Sequence, residues 1–109
     1  MKVAELAERL ELTAAVSGDL EKEVSGCYIG DLMSLAMARL EENNVWITIQ
    51  TNLNVVAVAA LKEAGCVILA DGCVPDANAA AKAETEEIPI LLSEDSAYTL
   101  ALRLGALGI

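Results

Sequence analysis

Apolar positions follow two different periods along the chain, and these periods predict its secondary structure. Near the N-terminus apolar residues lie three and four positions apart, the spacing of one helix face. These residues are Val3, Leu6, Ala7 and Leu10. Residues 45–49 form a continuous β-branched and aromatic run, which is typical of a strand. The same reasoning predicts strands at residues 12–16, 24–29, 45–49, 66–69 and 88–92, with five helices before, between and after them.

The predicted elements follow one another in the order α-β-β-α-β-α-β-α-β-α. From residue 45 onward a strand, a loop and a helix recur about every 21 residues, which implies right-handed crossovers between parallel strands. We therefore expect an α/β fold of three layers, α/β/α, around a small, mostly parallel sheet of about five strands. We expect one domain over residues 1–109, with Gly65 ending the third helix in the left-handed conformation.

Charge narrows the range of partners. The chain of 109 residues has 17 acidic and 7 basic side chains, a formal charge of −10, and 55% hydrophobic residues. Its basic residues are scattered singly, whereas phosphate backbones and anionic lipids are bound by clustered Lys and Arg. Neither nucleic acid nor a membrane is therefore an expected partner. No signal peptide or transmembrane run is visible, so we expect a cytoplasmic location.

The side chains needed for common catalytic and metal sites are missing. The sequence has no histidine, which removes the usual general base and the imidazole ligand of zinc. We expect no catalytic site, metal or cofactor. Cys27, Cys66 and Cys73 form no C-x-x-C pair, and we expect Cys27 and Cys66 to be small buried fillers beside strands. Cys73 follows a predicted turn, where an exposed thiol could react or contact a cluster.

Polar residues and glycines occur where predicted strands end. In open α/β sheets, ligands bind outside the carboxyl ends of the strands. The residues of interest there are Asp31, Thr51, Asn52, Asp71, Gly72 and the segment 93–96. Two interpretations stay open. These residues could bind a small molecule, or they could be helix caps and turn residues. In the second case Gly26 and Gly72 would be present because the backbone needs glycine there. No P-loop and no G-x-G-x-x-G sequence is present.

Several segments together resemble the DRTGG domain family, namely residues 20–27, 30–33, 46–51, 67–72 and 88–91. The residues that name the family, Asp, Arg, Thr, Gly and Gly, correspond here to Glu21, Lys22, Ser25, Gly26 and Cys27. Only Gly26 is identical, and Cys27 departs from the pattern. The resemblance implies a layered fold like those of MurF and the N-terminal domain of HPr kinase/phosphorylase. It also marks Ser25, Gly26 and Asp31 as motif positions.

For function, the resemblance implies regulation or assembly, commonly as a homodimer and without catalytic residues. Such domains occur beside CBS domains in regulated pyrophosphatases and as small stand-alone proteins, some near hydrogenase genes. The leading hypothesis is a non-enzymatic regulatory or protein-interaction domain that self-associates. An accessory role in an iron–sulfur, hydrogenase or energy-metabolism system extends it. The alternative is a sensor that binds a nucleotide or another metabolite at the strand ends.

Overall fold

The computed structural model describes every residue from Met1 to Ile109. It contains five strands and five helices in the predicted order. The strands are β1 (Thr13–Val16), β2 (Cys27–Ile29), β3 (Val45–Thr48), β4 (Cys66–Leu69) and β5 (Ile90–Leu92). The helices are α1 (Val3–Arg9), α2 (Met33–Arg39), α3 (Leu53–Leu61), α4 (Ala77–Thr85) and α5 (Ala97–Ala106). None of these helices combines the length and the apolar character that crossing a membrane requires.

The five strands form one sheet in the order β1-β5-β4-β3-β2. Strands β2 to β5 are parallel, and β1 pairs antiparallel with β5 at one edge. Cys27, Val45 and Cys66 lie level with one another across β2, β3 and β4, so their side chains share a face. The predicted fold class, a three-layer α/β protein with a mostly parallel sheet, is confirmed.

Alternation along the strands divides the interior into two apolar layers. On β3, for example, Trp46 belongs to one layer and its neighbours Val45 and Ile47 belong to the other. The layer containing Trp46 is completed by α2, α3 and α4, and the second layer is completed by α1 and α5. Both faces of the central strands are therefore buried, which explains their continuous apolar sequences.

The helix ends differ from the prediction in one respect. The left-handed residue after α3 is Glu63, at φ 55°, and not Gly65. Ala64 N donates to Ala59 O, which completes the hydrogen-bonding pattern of a helix C-terminus. Gly65 is required for a different reason. A Cβ atom there would lie 2.7 Å from Val24 Cγ1 and 2.8 Å from a backbone oxygen.

Two further features of the local sequence shape the ends of elements. The predicted strand at residues 24–29 is shorter in the structure, because Gly26 has a φ of +72° and interrupts the extended backbone. The prediction of a cap in the segment 93–96 is confirmed by Ser96, whose Oγ accepts a hydrogen bond from Thr99 N at 3.2 Å at the start of α5.

Candidate functional site

Asp31 fastens the chain after β2 to the end of β3. The prediction that Asp31 caps α2 is wrong, because Leu32 occupies the N-cap position and no side chain bonds there. Asp31 Oδ1 instead accepts hydrogen bonds from Thr48 Oγ1 at 2.8 Å and from Ile49 N at 3.0 Å. Thr48 is buried, so this carboxylate satisfies a hydroxyl group that has little access to water.

Thr51 and Asn52, which follow β3, are engaged in local structure. Asn52 is the N-cap of α3, and its Oδ1 accepts from Asn54 N at 2.9 Å. Thr51 Oγ1 donates to Asp76 Oδ1 at 3.1 Å, and Thr51 O accepts from Asp76 N at 2.9 Å. The crevice beside Thr51 and Asn52 encloses only about 10 Å³, far less than a metabolite requires. These residues therefore join the starts of α3 and α4.

Asp71 and Gly72, which follow β4, hold the loop after β5. Asp71 N donates to Asp95 O and Gly72 N donates to Ser93 O, each at 2.9 Å. Both residues have a left-handed backbone, with φ values of 56° and 73°. A Cβ atom on Gly72 would lie 2.6 Å from Glu94 Oε2. The left-handed turn therefore favours glycine at position 72, whereas the Glu94 carboxylate is the end of a flexible side chain that can move aside.

One open cleft lies at this end of the sheet, between the loops after β4 and β5 and the start of β1. Its volume is about 420 Å³. The residues that line it are Leu10, Glu11, Thr13, Gly72, Cys73, Val74, Leu92, Ser93, Glu94, Asp95 and Arg103. Arg103 is its one basic side chain and is already paired with Asp95 at 3.1 Å. Of the residues predicted at the strand ends, Gly72 and residues 93–95 line this cleft, whereas Asp31, Thr51, Asn52 and Asp71 do not.

Ser25 and Gly26 lie at the opposite end of the sheet, before β2. Buried Asn44 holds this segment, since its Nδ2 donates to Ser25 O and its Oδ1 accepts from Glu41 N, both at 2.9 Å. A Cβ on Gly26 would lie 2.9 Å from Asn44 Nδ2, so the close neighbour of this glycine is a side chain of the same chain. The structure therefore divides the predicted site between two ends of the sheet.

The three cysteines do not come together. The prediction that Cys27 is a buried filler is wrong, because β2 is an edge strand and the residue is exposed. Its Sγ lies 3.8 Å from Tyr28 O, and partial desolvation raises the pKa of the thiol to about 11. Cys66 is buried as predicted, and desolvation, with a smaller contribution from Cys27, raises its pKa to about 12. Cys73 is half-buried against the Trp46 layer. No three His, Cys, Asp or Glu side chains are placed to hold a metal ion.

Comparison with known families accounts for this arrangement of elements. The family model of the DRTGG domain matches residues 5–107. The chain belongs to the DRTGG domain family. No curated protein sequence matches this DRTGG domain significantly.

A solved structure with the same fold is the "CBS and DRTGG domains of the regulatory region of Clostridium perfringens pyrophosphatase complexed with activator, diadenosine tetraphosphate". The two structures align with a TM-score of 0.76 at 10% sequence identity. The alignment covers 94% of this DRTGG domain and 45% of the pyrophosphatase chain, so the domain spans less than half of that relative.

This DRTGG domain also has an apolar surface that the sequence reasoning missed. We call it the β2 edge surface and define it by Cys27, Tyr28, Ile29, Leu32 and Leu35. Ile29 is 46% exposed, Leu32 60% and Leu35 44%. The sequence did contain a signal for it, because the segment 24–38 has a single charged residue in an otherwise acidic chain.

Proposed function

We propose that this DRTGG domain is a non-catalytic regulatory domain that acts by binding another protein surface, in the first place a second copy of itself. The observation that carries the proposal is the β2 edge surface. Ile29, Leu32 and Leu35 are exposed at the same edge of the sheet, and large apolar side chains grouped on the surface of a monomer are typical of an interaction site. A self-associating domain can transmit a signal by changing how its copies contact each other.

The polar groups at the strand ends support a role without catalysis. Asp31, Thr51 and Asn52 each satisfy a backbone or side-chain group of the same chain, and no buried side-chain polar atom lacks a partner. Active sites tend to bring pKa values toward neutrality. Here desolvation moves the pKa values of Cys27 and Cys66 away from it, which keeps both thiols protonated.

The regulatory part of the proposal rests on the relative with the same fold. In the pyrophosphatase structure, a DRTGG domain lies beside CBS domains in a regulatory region. We extend that role to this chain. We also keep the cytoplasm as the expected compartment, which agrees with three free cysteines. The link to iron–sulfur or hydrogenase systems stays a prediction, and the metal-ligating side chains described above give it no support.

Sedimentation equilibrium of the full chain, from low to high micromolar concentration, tests the proposal. We expect the mass to rise from the monomer value of 11.4 kDa toward twice that value. A mass that stays at the monomer value at every concentration would refute self-association. In that case the proposed interaction role would require that a pull-down from the native host yields a different protein as a stoichiometric partner.

A second candidate function is a small-molecule sensor that binds at the strand ends. The cleft of about 420 Å³ beside Gly72 favours it, because its size suits a small metabolite. Its charge disfavours a nucleotide, since Glu11, Glu94 and Asp95 outnumber Arg103. The pyrophosphatase relative was solved with diadenosine tetraphosphate, so that compound is a suitable first probe.

Thermal unfolding with diadenosine tetraphosphate, ATP and AMP tests the sensor role. A ligand at 100 times its Kd would stabilise the domain by about 2.7 kcal/mol. Arg103→Gln should abolish the shift in the melting temperature if phosphate binds in the cleft, whereas Lys82→Gln, on the exposed side of α4, should not. If no probe shifts the melting temperature, these three adenine nucleotides are excluded as ligands of this domain.

A further inference from the structure

We propose that the β2 edge surface pairs with the same surface of a second copy, so that the two five-stranded sheets join into one continuous sheet. This inference rests on the proposed function, because it states how the self-association occurs. It assigns the contact to backbone groups of β2 and to one flank of α2. Three independent features of the structure lead to it.

The first feature is the backbone of β2, which bonds to a neighbour on one side only. Gly26 O accepts from Val45 N at 3.0 Å, and Gly30 N donates to Ile47 O at 3.2 Å. In a parallel ladder the residues that bond to a given neighbour alternate along the strand. The N–H and C=O groups of Cys27 and Ile29 therefore point away from β3 and have no partner strand.

These unpaired backbone groups of β2 can bond to the same groups of a second copy. A two-fold axis perpendicular to the sheet beside Tyr28 would place Cys27 of one copy opposite Ile29 of the other. Each such pair exchanges both of its N–H···O bonds in an antiparallel ladder. This register uses all the outward backbone groups of β2, whereas a two-fold axis at Cys27 or at Ile29 would use only one pair. Tyr28 then faces Tyr28 of the second copy.

The second feature is the position of α2. It connects β2 to β3 and packs over them, since Ala36 and Leu40 belong to the same apolar layer as Trp46. With these residues toward the sheet, helical periodicity places Leu32 and Leu35 on the flank above the free edge. Strands are about 4.8 Å apart, so a helix above the β2–β3 gap lies roughly 5 Å from the two-fold axis. The two copies of α2 would be roughly 10 Å apart, a normal helix packing distance.

The third feature is charge, and it favours a second copy over a basic partner. The chain has a formal charge of −10, so two copies repel each other over most of their surfaces. Between residues 24 and 38 the only charged side chain is Asp31, whose Oδ1 is already bonded to Thr48 and Ile49. The β2 edge surface is thus the place where two acidic chains can approach without repulsion.

Two variants of the full chain test this arrangement by sedimentation equilibrium. Ile29→Pro removes an outward N–H that β3 does not use, and edge strands tolerate proline at such positions. Leu35→Glu introduces a charge on an exposed helix flank, so it should leave the fold intact. We expect each variant to raise the dimer Kd by about 30-fold or more. Leu102→Glu, a matched change of an exposed leucine on α5, should leave the Kd unchanged.

A disulfide tests the register. In a background with Cys27→Ser and Cys73→Ser, Tyr28→Cys should form a symmetric disulfide between copies on mild oxidation, because non-hydrogen-bonded pairs across an antiparallel ladder bring Cα atoms to about 4.5 Å. Ala14→Cys on β1 should form none. Loss of the dimer only with Leu102→Glu, or a dimer unaffected by both Ile29→Pro and Leu35→Glu, would overturn this inference and leave self-association standing. A monomeric parent chain would overturn both.

Discussion

The two edges of the sheet are built differently. At the β1 edge the ladder to β5 contains a β-bulge between Ala14 and Val16, and the strand runs directly into the tight turn at Gly18. At the β2 edge the ladder to β3 is regular, and its outer residues Cys27 and Ile29 are exposed. Bulges and charges are the usual means of keeping an edge strand from pairing.

This contrast indicates that one edge ends the sheet and the other leaves it open to a partner. Neither strand contains a charged residue, but the β1 edge has a bulge and is flanked by Glu11 and Asp19. The β2 edge has no bulge, and Asp31, the charged residue that follows it, is bonded to Thr48 and Ile49. Four predictions test how each edge is held, beginning with the largest expected effect.

The largest effect is expected at Trp46, a buried residue of β3 that holds the end of β2 in place. It is fully buried, and its Nε1 donates to Gly30 O at 3.0 Å, directly after β2. Trp46→Ala should lower the free energy of unfolding by about 3–5 kcal/mol, through lost burial and a cavity. Urea unfolding followed by far-ultraviolet circular dichroism measures it.

Trp46→Phe is the matched control, because it keeps an aromatic ring in the layer but removes the donor to Gly30 O. A loss clearly smaller than that of Trp46→Ala is expected, and it should include about 1 kcal/mol for the hydrogen bond. If the two variants were equally stable, the cavity would not be the main cause. If neither lost stability, Trp46 would not anchor β2.

The next largest effect concerns Cys27, which lies on the β2 edge but whose thiol we expect to react slowly. Its pKa is raised from 9.0 to about 11 by desolvation. Below pH 9 the thiolate fraction, and with it the rate of reaction with a disulfide reagent, should be about 100-fold lower than for an unshifted thiol. The rate should keep rising with pH up to about 11.

The measurement uses a chain with Cys66→Ala and Cys73→Ser, so that Cys27 is the only thiol. The same chain unfolded in urea supplies the unshifted rate. Equal rates in the folded and unfolded states near pH 8 would contradict the partial desolvation of Sγ. They would also mean that the β2 edge is looser than its contacts indicate.

A third, smaller effect is expected at the β1 edge. Gly18 has a φ of +53°, and a Cβ there would lie 2.6 Å from Ile88 C and from Pro89 N, both backbone atoms. Gly18→Ala should therefore disrupt the junction between the end of β1 and the start of β5. Gly108→Ala is the control, because Gly108 has a φ of +83° but open space around it.

The difference between these two variants isolates the steric part from the backbone strain that they share. We expect Gly18→Ala to cost about 1–3 kcal/mol more in unfolding free energy than Gly108→Ala. Both variants are compared by urea unfolding. Equal losses would show that the β1 edge can move away from β5 at little cost, which would remove the distinction between the edges.

Sequence patterns were sufficient for the elements and layers, because apolar periodicity reports burial directly. All ten elements were predicted in their order, and the alternation around Trp46 follows from the strand pattern. The candidate site was less accessible. The rule that ligands bind at the carboxyl ends of parallel strands placed Asp31, Thr51 and Asp71 at the same end of the sheet. It could not show that each of them forms its own hydrogen bonds to a neighbouring loop or strand.

Other features depend on tertiary contacts that no local pattern reveals. The left-handed residue after α3 is Glu63, although residue preference favours glycine there. The role of Gly65 comes from Val24, which is far away in sequence. Likewise, the exposure of Cys27 follows from which strand lies at the edge, and strand order is not contained in the apolar pattern.

The smallest effect is expected at Asp31, which ties the end of the open edge strand to β3. Asp31→Ala removes the acceptor for Thr48 Oγ1 and Ile49 N, and it should lower the free energy of unfolding by about 1 kcal/mol. Asp31→Asn keeps the Oδ1 acceptor and should lower it by less than about 0.5 kcal/mol. Urea unfolding of both variants, at concentrations where the chain is monomeric, makes the comparison. If Asn were as harmful as Ala, the charge and not the hydrogen bonds would hold this turn. The end of β2 would then depend on electrostatics, and its stability should fall with added salt.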